Sequence, residues 1–263
     1  MDKKLSVLTV SHNNQDTINN YLKTLLTALP EKSEVIIIDS NSTDKTVDKI
    51  RDFILSHRDS DINLYTQKEN IGFGKGNNLA ASKASGKYIF LLNPDTEVKS
   101  DALEKLIEFA EDHQNVGLVA PKLVQSDGKV QPSVRKLPSI LGAIGEYYFG
   151  IKRMYEAYVP DTQSPVEVEC VVGAAMLLRR ELFLDLGGFN EEFFMYYEDI
   201  DLCKRIKDKK LKIFYLPSAE IIHQVGGSIS EQKVKWIKES AMIYHGTLRG
   251  ALLNVILKLR PLR

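Results

Sequence analysis

Residues 88–95 read Tyr88-Ile89-Phe90-Leu91-Leu92-Asn93-Pro94-Asp95, five apolar residues followed at once by a polar turn. A half-exposed strand alternates polar and apolar residues. This one is apolar on both faces, as a central strand of a parallel sheet must be. Working outward, Leu5–Ser11 reads as a strand, Val35–Ile38 as a second buried run ending at Asp39, and Ile62–Gln67 as a third. Between them, Ile18, Leu22, Leu25, Leu26 and Leu29 mark one helical face. Asn41-Ser42-Thr43-Asp44 supplies turn and cap chemistry for a helix carrying Val47, Ile50 and Ile54. A Gly/Asn-rich turn and a short helix near 77–84 follow the third strand. Ser100 is expected to cap the next helix, whose core stripe is Leu103, Leu106, Ile107 and Ala110. Alternating strands and helices predict a doubly wound, mainly parallel α/β sheet.

From about Val119 to Pro165 the pattern degrades into Pro, Gly and aromatic residues, and a loop-rich, substrate-binding segment is expected there. Order returns over 166–178, then in a helix from Glu181, another over 199–209, and strands over 212–216 and 219–222. Residues 231–263 read as a helical tail. The expected organisation is one catalytic domain over 1–230, with a nucleotide-sugar half to about residue 120 and an acceptor half from about 121, plus that tail.

The 263 residues are 43% hydrophobic and 27% charged, an ordinary globular composition. Lys and Arg total 35 and so do Asp and Glu, which advertises no nucleic-acid partner. Cys170 and Cys203 form no CxxC motif and no Cys/His cluster, so neither a disulfide scaffold nor a zinc site is expected. With no signal-peptide pattern and no apolar run near the roughly 18–20 residues that span a bilayer, the expected location is cytoplasmic. Peripheral attachment to the inner membrane face stays open. Over 246–263, Leu248, Ala251, Leu252, Val255, Ile256 and Leu259 form one apolar face beside Arg249, Lys258, Arg260 and Arg263, with no acidic residue. This stretch suits an anionic membrane surface, its own domain or a second subunit in a homodimer.

In an open parallel sheet, ligands bind beyond the carboxyl ends of the strands. Those ends carry Ser11-His12-Asn13, Asp39-Ser40-Asn41 and Asn93-Pro94-Asp95. Asn and Asp also form turns and caps, but three such clusters converging on one crevice favour a site. A carboxylate directly after a buried strand packs poorly and ligates Mg²⁺ or Mn²⁺ well, which suits the diphosphate of a nucleotide-sugar. The Gly-rich stretch 70–78 follows the third strand, not the first, and lacks GK[ST], so it is neither a dinucleotide fingerprint nor a P-loop. Its Gly74 and Asn77 remain candidates for a backbone turn that approaches a ligand. Glu198-Asp199-Ile200-Asp201 opens a helix after an aromatic run; the carboxylates either complement the helix dipole or deprotonate an acceptor hydroxyl. His223 follows a strand and precedes a polar loop, a position open to a metal ligand or to a structural histidine.

An ordered set of segments, VSHNN (10–14), IIIDSNSTD (36–44), NIGFGKGNN (70–78), LLNPD (91–95), GAAMLLRR (173–180), GGFNEEFFMYYEDIDLCKRI (187–206) and IIHQVGGS (221–228), resembles the inverting family 2 glycosyltransferases of the GT-A fold. The resemblance covers roughly residues 5–230. It implies transfer of one sugar from a nucleotide diphosphate donor to a saccharide or lipid-linked saccharide acceptor, with a divalent ion. Asp39 would contact the pyrimidine base, Ser11 and Asn13 would line the nucleoside pocket with Asn41, and Asp95 would be the metal ligand of a DxD-like motif. Asn93 stands in for the first Asp and would make a ribose or water-mediated contact. Asp199 would be the base, Glu198 would orient the acceptor, and His223 would complete the metal site.

The Asn-Pro-Asp variant and residues 132–138 resemble the bacterial rhamnosyltransferase branch, which uses dTDP-β-L-rhamnose in surface polysaccharide synthesis. Arg135, within that segment, is a candidate contact to the diphosphate or to an acidic acceptor group, or an ordinary surface residue. The Gln232–Trp236 stretch faintly echoes the QxxRW motif of processive synthases. With Lys in place of Arg and no transmembrane helix, the echo reads as coincidence, and single additions are expected. A nucleotidyltransferase should carry a Gly-rich loop with Arg and Lys after the first strand, where Ser11-His12-Asn13-Asn14 stands. A non-catalytic sugar-nucleotide binder has no need of the Asp95, Asp199 and His223 set.

Overall fold

The computed structural model describes residues 3–224 and 230–260. The chain runs β1 (Leu5–Ser11), α1 (Ile18–Ala28), β2 (Ser33–Asp39), α2 (Thr46–Ser56), β3 (Ile62–Thr66), α3 (Phe73–Lys83), β4 (Tyr88–Leu92), β5 (Thr96–Val98), α4 (Ala102–Asp112) and β6 (Val116–Val124). The second half adds β7 (Val134–Arg135), α5 (Ile140–Phe149), β8 (Val166–Val168), β9 (Cys170–Val171), β10 (Ala175–Arg179), α6 (Arg180–Asp185), α7 (Glu198–Asp208), β11 (Lys212–His223), α8 (Glu231–His245) and α9 (Thr247–Lys258).

The main sheet has the order β3-β2-β1-β4-β10-β6-β11-β5, with β8 beside β11. From β3 to β4 every pairing is parallel. Beyond β4 the sheet is mixed, because β10 runs antiparallel to both β4 and β6 while β6 and β11 are parallel. The five residues of β4 explain its central place. Tyr88, Phe90 and Leu92 enter the core on the face covered by α1, α2 and α4, and Ile89 and Leu91 enter the core on the α3, α6 and α7 face. All five are at most 2% exposed, and full burial of such a side chain contributes about 1.5–3 kcal/mol. The predicted stripe Leu103, Leu106, Ile107 and Ala110 of α4 is buried as well.

Several local expectations are corrected. Helix α3 starts at Phe73, so the Gly-rich stretch forms its first turn; Gly76 has no Cβ because one would lie 2.7 Å from Val10 Cγ2. Ser100 does not cap α4, whose N-cap position is Asp101 without a side-chain cap bond. The stretch from 119 to 165 is loop-rich, as expected, but it also holds the end of β6, β7 and α5. β6 occupies a central position despite Pro121, which faces Leu216 where β11 is irregular and the ladder is already broken. Helix α5 forms despite Gly142 and Gly145, started by the Ser139 side chain accepting from Gly142 N–H at 3.0 Å and stopped at Gly150 with φ 71°. The two strands expected over 212–222 are one, β11, bent by that irregularity. Among the described residues no helix is long and apolar enough to cross a membrane.

Candidate active site

The ends of β1 and β2 meet in register, Ser11 opposite Asp39. Asp39 is 1% exposed, and its carboxylate accepts from Ser11 Oγ (3.0 Å), Ser42 N–H (2.9 Å) and Ser42 Oγ (2.5 Å). Asn13 reaches the same loop: its N–H donates to Ser42 Oγ at 2.9 Å and its Oδ1 accepts from Thr43 N–H at 2.8 Å. Asn13 and Asn41 sit in the left-handed region at φ 55° and 62°, a conformation Asn tolerates better than most residues. The bonds made by Asp39 here are thus to the protein itself. They lock the two loops together at the strand ends.

Beside these loops lies a crevice of about 290 Å³ lined by His12, Ser40, Asn70, Phe73, Asn93, Asp95, Met195 and Trp236, among others. Of the eight expected donor contacts only Asn93 lines it: Ser11, Asn13, Asp39 and Asn41 do not, Arg135 faces elsewhere, and Asn77 and Gly74 are packed away from it. Asn77 is 1% exposed and its Nδ2 donates to Phe73 O, one turn back in its own helix, at 3.0 Å. Gly74 packs against the second half, where a Cβ would stand 3.2 Å from Phe189 Cβ. Both are packing residues because the helix begins earlier than its sequence suggests.

Asp95 and His223 come together because β5 and β11 pair with Thr96 opposite His223. His223 Nδ1 lies 2.8 Å from Gln131 Oε1, and only an N–H can satisfy that acceptor. In the neutral ring, Nε2 then carries a lone pair, and it faces Asp95 Oδ1 at 3.4 Å. Asp95 Oδ1 is buried without a hydrogen-bond partner. Two acceptors facing each other across this distance need a proton or a cation between them. The donor set, one carboxylate oxygen and one imidazole nitrogen, fits a divalent ion, which Asp95 and His223 would hold. Among the described residues no group of three or more His, Cys, Asp or Glu forms a closed metal cage. The Gly-rich continuation at 225–228 lies outside the described residues.

Tyr196 and Tyr197, at φ 71° and 70°, turn the chain into α7, and two successive left-handed tyrosines mark a strained entry. The turn brings Glu198 and Asp199 inside. Asp199 Oδ2 accepts from Gly173 N–H at 3.0 Å and Oδ1 from Ile200 N–H at 2.8 Å. Burial pushes its carboxyl up, opposed by the Arg135 guanidinium and by those N–H groups. Glu198 is 6% exposed with Oε2 unpartnered, and burial together with the Asp199 charge pushes it well above the usual carboxylate range. The pair therefore divides, with Glu198 holding its proton and Asp199 the readier to ionise. Asp201, the third carboxylate, is a structural partner of Arg205 at 2.8 Å. Asn93, Asp95, Gln131, Glu198, Asp199 and His223 line one cavity of about 410 Å³.

Arg135 is not a surface residue of a loop and does not line the crevice of His12 and Trp236. It lies in β7, opposite Cys170, and faces a further cavity that also opens on Asp199. Sequence reasoning missed the contribution of the tail: Trp236 on α8 packs 5.0 Å from the Phe194 ring and lines the crevice, and Lys233 lines the cavity around Asp95 and His223. The faint 232–236 motif, read as coincidence, was the only signal. Gln131, which orients His223, had none.

The profile of Glycosyl transferase family 2 matches residues 6–187, and that described as the N-terminal domain of galactosyltransferase matches residues 153–226. An N-acetylglucosaminyl-diphospho-decaprenol L-rhamnosyltransferase of Mycobacterium tuberculosis is 26% identical over 240 residues, covering 85% of this chain and 76% of the relative. The rhamnosyltransferase WbbL of Escherichia coli is 28% identical over 252 residues, covering 90% and 91%. In fold, the chain is similar to the crystal structure of GalNAc-T7 with UDP, GalNAc and Mn²⁺, with a TM-score of 0.69 at 15% identity over 93% of this chain; it spans about half (48%) of that protein. The sheet with its mixed second half is the GT-A architecture. With more than half of its length matched and strand-end clusters gathered at one crevice, the chain belongs to glycosyl transferase family 2 and is a glycosyltransferase.

Proposed function

We propose that this enzyme transfers a single L-rhamnose from dTDP-L-rhamnose to a hydroxyl of a lipid-linked saccharide in bacterial surface polysaccharide synthesis, with inversion at the anomeric carbon. The observation that carries the reading is the single cavity shared by Asp95, His223 and Asp199. Asp199 takes the proton of the acceptor hydroxyl as that oxygen bonds to the sugar C1 and the bond from C1 to the diphosphate oxygen breaks. Protonated Glu198 beside it donates a hydrogen bond within the site. A divalent cation, Mg²⁺ or Mn²⁺, held by Asp95 and His223 would neutralise charge on the departing diphosphate. Ser11, Asn13, Asp39 and Asn41 support the nucleoside side, and Asn93 faces the crevice.

The rhamnosyl choice is supported by the names of the two curated relatives and by the apolar side chains of Phe73, Met195 and Trp236 in the crevice. A hexose hydroxyl stranded against such a wall, where a 6-deoxy sugar has a methyl, costs about 1–3 kcal/mol. The lipid-linked acceptor is supported by the tail. Helix α9 buries Gly250 and Leu253 and leaves Leu248, Leu252, Val255 and Leu259 exposed, the face expected from sequence except for Ile256, which turns inward. Phe149 and Ile151 at the end of α5 are exposed as well, and α5 packs on α9, with Tyr148 OH donating to Ile256 O at 3.1 Å. Arg249, Lys258 and Arg260 flank this face, which suits the anionic inner surface of a membrane; Arg263 lies outside the described residues. A panel of dTDP-, UDP- and GDP-sugars, read by thermal shift and nucleoside diphosphate release with Mg²⁺ or Mn²⁺, tests the donor. Preferential stabilisation by a UDP- or GDP-sugar overturns the rhamnose assignment and leaves the family standing.

A further inference from the structure

The cavity that Arg135 faces measures about 590 Å³ and is lined by Asp199, Tyr147, Tyr155, Tyr197, Leu257 and Arg260, among others. It holds a cation without a partner. Arg135 Nε is buried and bonded to nothing, and Arg135 forms no ion pair within 4.0 Å among the described residues. A guanidinium N–H withdrawn from water and left unpaired is costly, and an anion removes that cost. Asp199 feels the Arg135 charge without touching it, so the base does not consume it. Near the mouth, Arg260 donates to Tyr147 OH at 3.2 Å and lies 5.1 Å from that ring's centre. Glu156, the one other carboxylate on the wall, accepts from Tyr147 OH at 2.8 Å and pairs with neither arginine. Two guanidiniums, tyrosine hydroxyls and an apolar side at Val172, Ile237 and Leu257 form a pocket with an anionic end and a greasy wall.

We propose that this cavity binds a phosphate or diphosphate group of the acceptor, with Arg135 as its principal contact and Arg260 as its second. The inference rests on the transferase reading, because it places the acceptor against Asp199. It moves Arg135 from the donor to the acceptor side. An acceptor anchored there by its phosphate presents its sugar to the base, while any hydrocarbon follows Leu257 toward the exposed face of α9.

The test uses the full chain with the nucleotide crevice saturated by dTDP and Mn²⁺, and farnesyl diphosphate, inorganic pyrophosphate and farnesol as calorimetric probes. Farnesyl diphosphate should bind, and farnesol should bind about tenfold more weakly or not at all, because charge-assisted bonds to an anion are the strong ones. Tighter binding of farnesyl diphosphate than of pyrophosphate identifies a lipid-linked source; equal binding identifies the phosphate group alone. Arg135→Gln should weaken the diphosphate probe about tenfold or more with dTDP affinity unchanged. Arg260→Gln, at an exposed position that leaves the core intact, should weaken it by a smaller factor and decides the matter if the first variant does not fold. No binding to the parent protein, equal affinity for farnesol, or unchanged affinity in both variants overturns the subsite. Loss of dTDP affinity in Arg135→Gln overturns it too, returning Arg135 to the donor. Nucleotide binding by the parent protein, measured in the same experiment, tests the transferase reading separately.

Discussion

Replacing Asp199 by Asn removes the proposed proton acceptor while keeping the side chain's shape. The two oxygens accept from Gly173 N–H and Ile200 N–H at 3.0 and 2.8 Å. An amide has one oxygen, so one of those N–H groups would face an NH₂ and lose its partner, at about 1–3 kcal/mol. Relief of the buried charge, which the upward shift of Asp199 reports, offsets part of that cost. Since 1 kcal/mol moves the melting temperature of a domain of this size by about 2–4 °C, the variant should stay folded with a Tm lowered by no more than about 12 °C, and by less where the offset acts. Turnover should fall by about 10²- to 10⁴-fold, the usual contribution of a general base, which is about 3–5 kcal/mol of barrier. The assay pairs release of dTDP in the presence of acceptor with calorimetric dTDP affinity, which should not change. A variant that folds and keeps more than half of the parent turnover refutes the assignment, and Glu198 then becomes the candidate, since Asp201 is held by Arg205.

Asp95→Ala should abolish cation-dependent binding of dTDP, and His223→Ala should raise the Mn²⁺ concentration needed for half-maximal binding; unchanged cation dependence in both removes the pair from the site. Because Asp199 is raised above the ordinary carboxylate value and must be ionised to accept a proton, activity should fall with decreasing pH along a limb lying above that value. Arg135→Gln should move the limb to higher pH by removing a charge that favours the ionised form; a pH–rate profile with an unmoved limb contradicts this. Glu198 is raised more strongly, so its contribution to stability is complete below the ordinary Glu value and declines as pH rises through the raised one. Glu198→Gln should flatten that decline in denaturation curves taken across pH. Gly72 has φ 78°, and a Cβ there would lie 2.4 Å from Phe194 O; Gly72→Ala should lower stability by about 1–3 kcal/mol and weaken dTDP binding through the crevice wall. Removing residues 246–263 should reduce flotation with anionic vesicles, each basic residue contributing about 1 kcal/mol near such a surface; equal flotation of both forms sinks the membrane reading.

The parallel half of the fold was legible because β2 and β4 carry runs apolar on both faces and the helices between the strands are apolar on one. Asp95 stands out for a related reason: a carboxylate straight after a buried strand has no apolar packing role, whereas Ser11 and Asp39 close their strands and spend their polar groups on each other and on Ser42. Where residue type and local pattern part company, the reading failed. Pro121 argues against regular structure and is accommodated by something distant in sequence, the irregularity of β11, while the glycines of α5 are accommodated locally, by the Ser139 cap three residues before Gly142. Asn77 looked like a ligand contact because its side chain is polar, yet it spends that polarity on the carbonyl one turn back. Arg135 could not be placed from sequence, since only the pairing of β7 with β9 carries it inward toward Asp199. The Gln131–His223 bond joins residues 92 positions apart, and no local periodicity encodes it.

The most direct test of the central claim is dTDP release from dTDP-L-rhamnose in the presence of a lipid-linked saccharide acceptor, measured with Mn²⁺ and again with excess EDTA. The account predicts acceptor-stimulated release with the ion, and loss of that release on chelation, in Asp95→Ala and in Asp199→Asn. Full release in EDTA, or release that neither substitution affects, would contradict a site built on Asp95, His223 and Asp199.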